Sequence, residues 1–200
     1  MTDAKWTEGW RLFWLLSLAL AAMALALLVA AGGGTEAWRL VIRATARTSL
    51  LLFLAAFVAS AAARLWPGAA THWLRRNRRQ LGLAFAMSHL IHALAIVTLY
   101  RTDPGTFWTL TNPATSINGS AGYLFIVLLA ATSFDRVVRA IGPKAWGWLH
   151  WLGVWFVAIS FIVSNGKRLP VSTWYALPVA LVIGAIALRL AARRQGVRAD

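Results

Sequence analysis

Six windows of about twenty mostly apolar residues, at 12–31, 45–63, 81–100, 120–134, 146–164 and 174–192, take up most of a 200-residue chain. A bilayer core about 30 Å thick requires roughly twenty apolar residues in a helix, because only a helix satisfies its own backbone there. The windows therefore predict an all-α integral membrane protein, a single six-helix transmembrane bundle over 1–200. Composition agrees: 60% of residues are hydrophobic and 13% charged, against roughly 45–50% and about 25% in soluble domains. Little chain is left for a soluble catalytic, flavin or nucleotide domain. The window at 120–134 is short and is expected to extend back to Asn118 or to tilt less than its neighbours. The first window is longer than the 7–15 apolar residues of a secretory signal, so it is expected to be retained even though small residues follow it.

The net charge of +14 would suggest nucleic acid in a soluble protein. Here the basic residues flank the spans and fall unevenly. One side collects Lys5, Arg11, Arg64, Arg75, Arg76, Arg78, Arg79, Arg136, Arg139, Lys144, Arg189, Arg193, Arg194 and Arg198; the other has Arg39, Arg43, Arg47, Arg101, Lys167 and Arg168. Positive charge favours the cytoplasmic side, which places both termini there and predicts a multi-pass protein of the bacterial inner (cell) membrane. The same face should attract anionic lipid, and nucleic acid is not expected as a partner. Of the 12 tryptophans, Trp6, Trp10, Trp14, Trp38, Trp66, Trp73, Trp108, Trp146, Trp148 and Trp174 lie near span ends, as an interfacial belt requires.

Between the spans, Asp-Pro-Gly at 103–105 and Asn-Pro at 112–113 mark turns. The stretch around Trp38 reads as an interfacial turn or half-helix after the glycine run at 32–34.

With no cysteine, disulfides, iron–sulfur clusters and thiolate-ligated haem are excluded. No acidic residue lies well inside a span, which disfavours a carboxylate proton relay and a transporter. The intramembrane chemistry falls to His89 and His92 in the third span and His150 early in the fifth. A neutral imidazole can coordinate iron through one nitrogen while the other N–H is held by an acceptor. The third and fifth spans run in the same direction, so His92 and His150 are expected to hold one haem b between them. Rise along the helices puts His89 and His92 near 12 and 16 Å depth and His150 near 6 Å, an imperfect match. His89 is expected to hydrogen-bond or to serve as the alternative ligand, and His72 to be interfacial. Arg75, Arg78 and Arg79 anchor topology and have the forked geometry that suits haem carboxylates.

The residues "RRQLGL" followed by eight more and then His92, "ATSFDRVVRAIG" followed by "WGWLH", and "ARTSL" at 46–50 resemble the ferric reductase-like transmembrane domain family. The likeness is greatest to its short branch, the haem-binding membrane subunits of bacterial periplasmic methionine-sulfoxide reductase systems, and covers roughly 46–164. It implies an electron-transfer protein, an oxidoreductase subunit fed by a flavin reductase or quinol, with quinone or FMN as further cofactors and a periplasmic reductase subunit as acceptor. The family's further histidine, about thirteen residues after the one opening the fifth helix, is Val163 here, which leaves a second haem without its expected ligand. The alternative is a non-redox six-helix scaffold.

Overall fold

The computed structural model describes residues 7–197, so Lys5, Trp6 and Arg198 lie outside the described residues. The described chain is helical, with no strand: α1 (Gly9–Ala30), α2 (Gly34–Leu65), α3 (Ala69–Arg76), α4 (Arg78–Thr102), α5 (Pro104–Leu110), α6 (Pro113–Ala131), α7 (Asp135–Ile141), α8 (Pro143–Gly166) and α9 (Ala176–Val197), with a single 3-10 turn at Thr173–Tyr175 before α9. Among the described residues, six helices are long and apolar enough to cross a membrane: α1, α2, α4, α6, α8 and α9 with its preceding turn.

Local chemistry explains where these helices stop and start. After α1, Gly32, Gly33 and Gly34 take φ of 67°, 75° and 75°, left-handed values that only glycine adopts without strain. The chain thus reverses in three residues. α2 then runs uninterrupted for 32 residues, so the stretch around Trp38 is part of the second membrane helix rather than a separate half-helix. At about 1.5 Å per residue α2 is near 48 Å long and extends beyond a hydrocarbon core. The proline-containing turns are helix starts. Asp103 accepts a hydrogen bond from the Thr106 backbone N–H at 2.9 Å and Asn112 from that of Thr115 at 2.8 Å, each with proline in the first turn that follows. Proline there loses no hydrogen bond and has its φ preset. The fourth membrane helix consequently begins at Pro113, and Asn118 lies inside it.

α2 and α4 form the centre of the bundle, with α1 against both, α9 against α2, and α6 against both α4 and α8. The main core is aromatic: Leu50, Phe53 and Phe57 of α2 meet Phe85 of α4, Ile126 of α6, Val157 and Ala158 of α8, and Val182 and Ala185 of α9. Small residues permit the closest approaches. A Cβ at Gly153 of α8 would lie 3.1 Å from the Leu129 side chain of α6, the close packing expected between helices in lipid. Several belt tryptophans face outward: Trp14, Trp66, Trp148 and Trp174 are 65%, 61%, 73% and 82% exposed.

One end of the bundle is tied by polar contacts. Asn77, 1% exposed, accepts from the Gly9 N–H at 2.9 Å and donates to the Trp73 carbonyl at 3.0 Å. Arg76 pairs with Glu8 at 2.8 Å. Arg64 donates to the Ala192 carbonyl at the same end, so the start of α1 and the end of α9 share the more basic face. At the opposite end, Thr35 donates to Asp103 at 2.9 Å.

Candidate functional site

A buried hydroxyl ladder joins α2 to α4 beside His92. Thr45, Ser49 and Ser88 are each 0% exposed. Ser49 donates to Ser88 at 2.9 Å, Ser88 donates to the Thr45 carbonyl at 3.2 Å, and Thr48 Oγ1 lies 3.0 Å from Ser88 Oγ. At its end Thr45 Oγ1 is 2.9 Å from His92 Nδ1. Thr45 also lies 2.6 Å from the Val41 carbonyl, which can only accept. A hydroxyl has one proton. With that proton directed to Val41, Nδ1 of His92 must be the donor to Thr45, and Nε2 is left with its lone pair.

His150 repeats the device at another place. Thr132, at the end of α6, donates to the Leu128 carbonyl at 2.6 Å and lies 3.0 Å from His150 Nε2. The same proton count makes Nε2 the donor and leaves the lone pair on Nδ1. Trp146 covers this ring at 4.5 Å between centroids and donates to the Thr132 carbonyl at 3.0 Å.

His89 sits one turn from His92, with ring centroids 5.6 Å apart. It packs on Phe85 at 4.7 Å, Tyr123 of α6 at 5.8 Å and Phe161 of α8 at 6.0 Å. Its Nδ1 and the Tyr123 hydroxyl are both buried with no partner among the described residues. Two such orphans side by side are costly unless a further polar or ligating group meets them.

The structure does not bring His92 and His150 together. The α8 residue that meets His89 is Phe161, eleven residues past His150, about 16 Å of helix rise. His92 is one turn further along α4 in the same direction, away from His150. The two imidazoles are held separately, each by its own threonine. Sequence counting underestimated the gap because α8 starts at Pro143 and is displaced toward the basic end relative to α4. Each ring has one nitrogen tied to a hydroxyl and the other bearing its lone pair, the arrangement in which protein metal ligands are prepared. Among the described residues no three His, Asp or Glu side chains cluster as a cage for a bare metal ion.

The arginines expected to act together are dispersed. Arg79 pairs with Asp135 at 3.3 Å and lies over the rings of Trp10 and Phe134 at 5.8 and 5.6 Å. Arg75 is exposed on α3. Arg78 donates to Ser60 at 2.9 Å and faces His150. His72 is half-buried on α3. Sequence reasoning missed Thr45 and Thr132. Their signal was present as a hydroxyl in an apolar run, but which threonine meets which ring depends on helix packing.

No family model matches the chain, and no solved structure does. Two relatives are similar to it: the protein-methionine-sulfoxide reductase heme-binding subunit MsrQ of Azospira oryzae, 32% identical over 121 residues, which are 56% of this chain and 51% of the relative, and that of Ralstonia nicotianae, 30% identical over 120 residues, 58% of this chain and 54% of the relative. The chain thus spans about half the length of the curated relatives it matches, and over that half the resemblance to haem-binding subunits of methionine-sulfoxide reductase systems is borne out.

Proposed function

We propose that this chain holds haem b in the inner membrane and passes electrons from a cytoplasmic flavin reductase or membrane quinol toward a periplasmic reductase subunit. The observation that carries this reading is the clamp on His92, a half-buried imidazole whose Nδ1 donates to the buried Thr45 and whose Nε2 keeps its lone pair. The names of the two relatives support it. In this reading Nε2 of His92 would hold the haem at one level, with His89 as the alternative ligand or a hydrogen-bond partner, and Nδ1 of His150 would hold one at the level nearer the basic face. When bound, haem would supply the one-electron redox chemistry that these residues lack. Around it the protein fixes ring tautomers, excludes water with Phe85, Phe161 and Trp146, and places Arg78 where a carboxylate of the cofactor meets a guanidinium. Arg75 and Arg79 serve the basic face, Arg79 through its pairing with Asp135.

The test is a reduced-minus-oxidised spectrum of the purified protein with haem-to-protein stoichiometry. Sharp b-type bands are expected, removed in part or whole by His92→Ala and His150→Ala. Loss of half the haem in each variant means two sites, and loss of all of it in either means one. A colourless wild-type protein, loaded in membranes with haem available, overturns the reading and leaves a six-helix scaffold, which the separation of His92 from His150 would then explain.

A further inference from the structure

At the basic end of the bundle the last turns of α2 gather arginines from two neighbouring helices. Arg189 of α9, half-buried, donates to the Phe57 carbonyl at 3.0 Å and lies flat over the Phe57 ring at 4.3 Å. One turn further along α2, Ser60 accepts from Arg78 of α4 at 2.9 Å. One turn beyond that, Arg64 donates to the Ala192 carbonyl at 3.1 Å. The Arg78 and Arg189 guanidinium groups are thus held one turn apart along α2, and Arg193 follows Arg189 by one turn on α9. Among the described residues the ion-paired carboxylates are engaged elsewhere, Glu8 with Arg76, Glu36 with Arg39 and Arg43, and Asp135 with Arg79. Like charges held this closely, two of them fixed by hydrogen bonds to α2, repel unless an anion sits between them.

We propose that Arg78, Arg189 and Arg193 form a binding site for the phosphate of an anionic phospholipid. The choice of a lipid over a soluble anion rests on the surroundings. Arg189 lies within a membrane helix whose outward face carries Ile183 and Leu190, 52% and 44% exposed. An acyl chain runs along such a face while its headgroup meets the arginines. A guanidinium pre-oriented by a carbonyl and a ring presents its remaining N–H groups as a fork, the geometry that suits phosphate oxygens. The site shares Arg78 with the haem reading above, whereas Arg189 and Arg193 belong to it alone.

The experiment uses the full chain, purified in detergent, offered equal amounts of phosphatidylglycerol and phosphatidylcholine in mixed micelles, with bound lipid counted by native mass spectrometry. Wild type is expected to prefer phosphatidylglycerol, with the preference falling about fivefold for each guanidinium removed in Arg189→Gln and Arg193→Gln. Arg193 is exposed, so its variant remains informative if Arg189→Gln does not fold. Arg139→Gln on α7 makes the same change in net charge outside the cluster; an equal loss there means diffuse surface attraction and overturns the site. Displacement of the counted phosphatidylglycerol by an equal amount of inorganic phosphate overturns the lipid assignment. A gain of the preference in His150→Ala, with the arginines intact, assigns the cluster to the cofactor's carboxylates instead and likewise overturns it.

Discussion

Thr45 illustrates how one hydroxyl decides what a histidine can do. It is 0% exposed, and its proton is committed to a carbonyl of its own helix, which leaves only an acceptor for His92. Thr45→Val keeps the shape but leaves the Nδ1 proton without a partner, a desolvation penalty of roughly 1–3 kcal/mol. Removal of such an outer partner typically weakens metal binding about 10–100-fold. In a haemin titration of the haem-depleted protein, Thr45→Val is therefore expected to bind at least tenfold more weakly at the His92 level, and Thr45→Ser, which keeps the hydroxyl, close to wild type. Equal affinity in Thr45→Val would mean that Thr45 has no part in preparing the ring. The histidines themselves were legible from sequence as titratable rings in apolar runs. Their threonine partners were not, since Thr45 and Thr132 lie 47 and 18 residues from the rings they hold.

Helix ends decided where sequence reading succeeded and where it slipped. Asp103 and Asn112 read as turn residues and proved to be N-caps of α5 and α6, a distinction that depends on whether the following residues continue into helix. Asp103 lies outside the membrane helices and accepts from the Thr106 backbone N–H, the Thr106 hydroxyl and the Thr35 hydroxyl, in that order of influence, which holds its carboxyl below the usual carboxylate range. Its stabilising effect is fully present above the unfolded value of about 3.9 and disappears as pH falls through the lower native value. The protection of residues 105–110 against hydrogen exchange, corrected for the intrinsic pH dependence of amide exchange, is accordingly expected to hold at pH 5 and to fall below about pH 4. In Asp103→Ala the protection should be low at both. A segment equally protected in wild type and variant would remove the cap from this account. The start of α6 at Pro113 follows from the same chemistry, because hydropathy sees only the apolar portion of a helix whose first turns are Pro-Ala-Thr-Ser.

For the whole molecule, the six-helix plan was legible because the bilayer imposes a length and an apolar composition that few other environments require. Relative displacement of the helices was not legible: nothing in the apolar windows reveals that α8 slides toward the basic end and carries His150 away from His92. Orientation is a property of the assembled chain and rests on fourteen basic residues against six. We expect reporters fused at both termini to be cytoplasmic, and one inserted between α4 and α6 to be periplasmic. A periplasmic signal from either terminal fusion would reverse the inferred path of the electrons. The long, unbroken α2 gives this topology a mechanical side. The same rod that carries Thr45 against His92 carries Phe57 and Ser60 against the arginines twelve and more residues away. A change in its tilt of about 5° shifts one contact by roughly 1.5 Å relative to the other over some 18 Å of helix. Anything that leans on this lever at the crowded end thereby alters the grip on an imidazole deep in the bilayer.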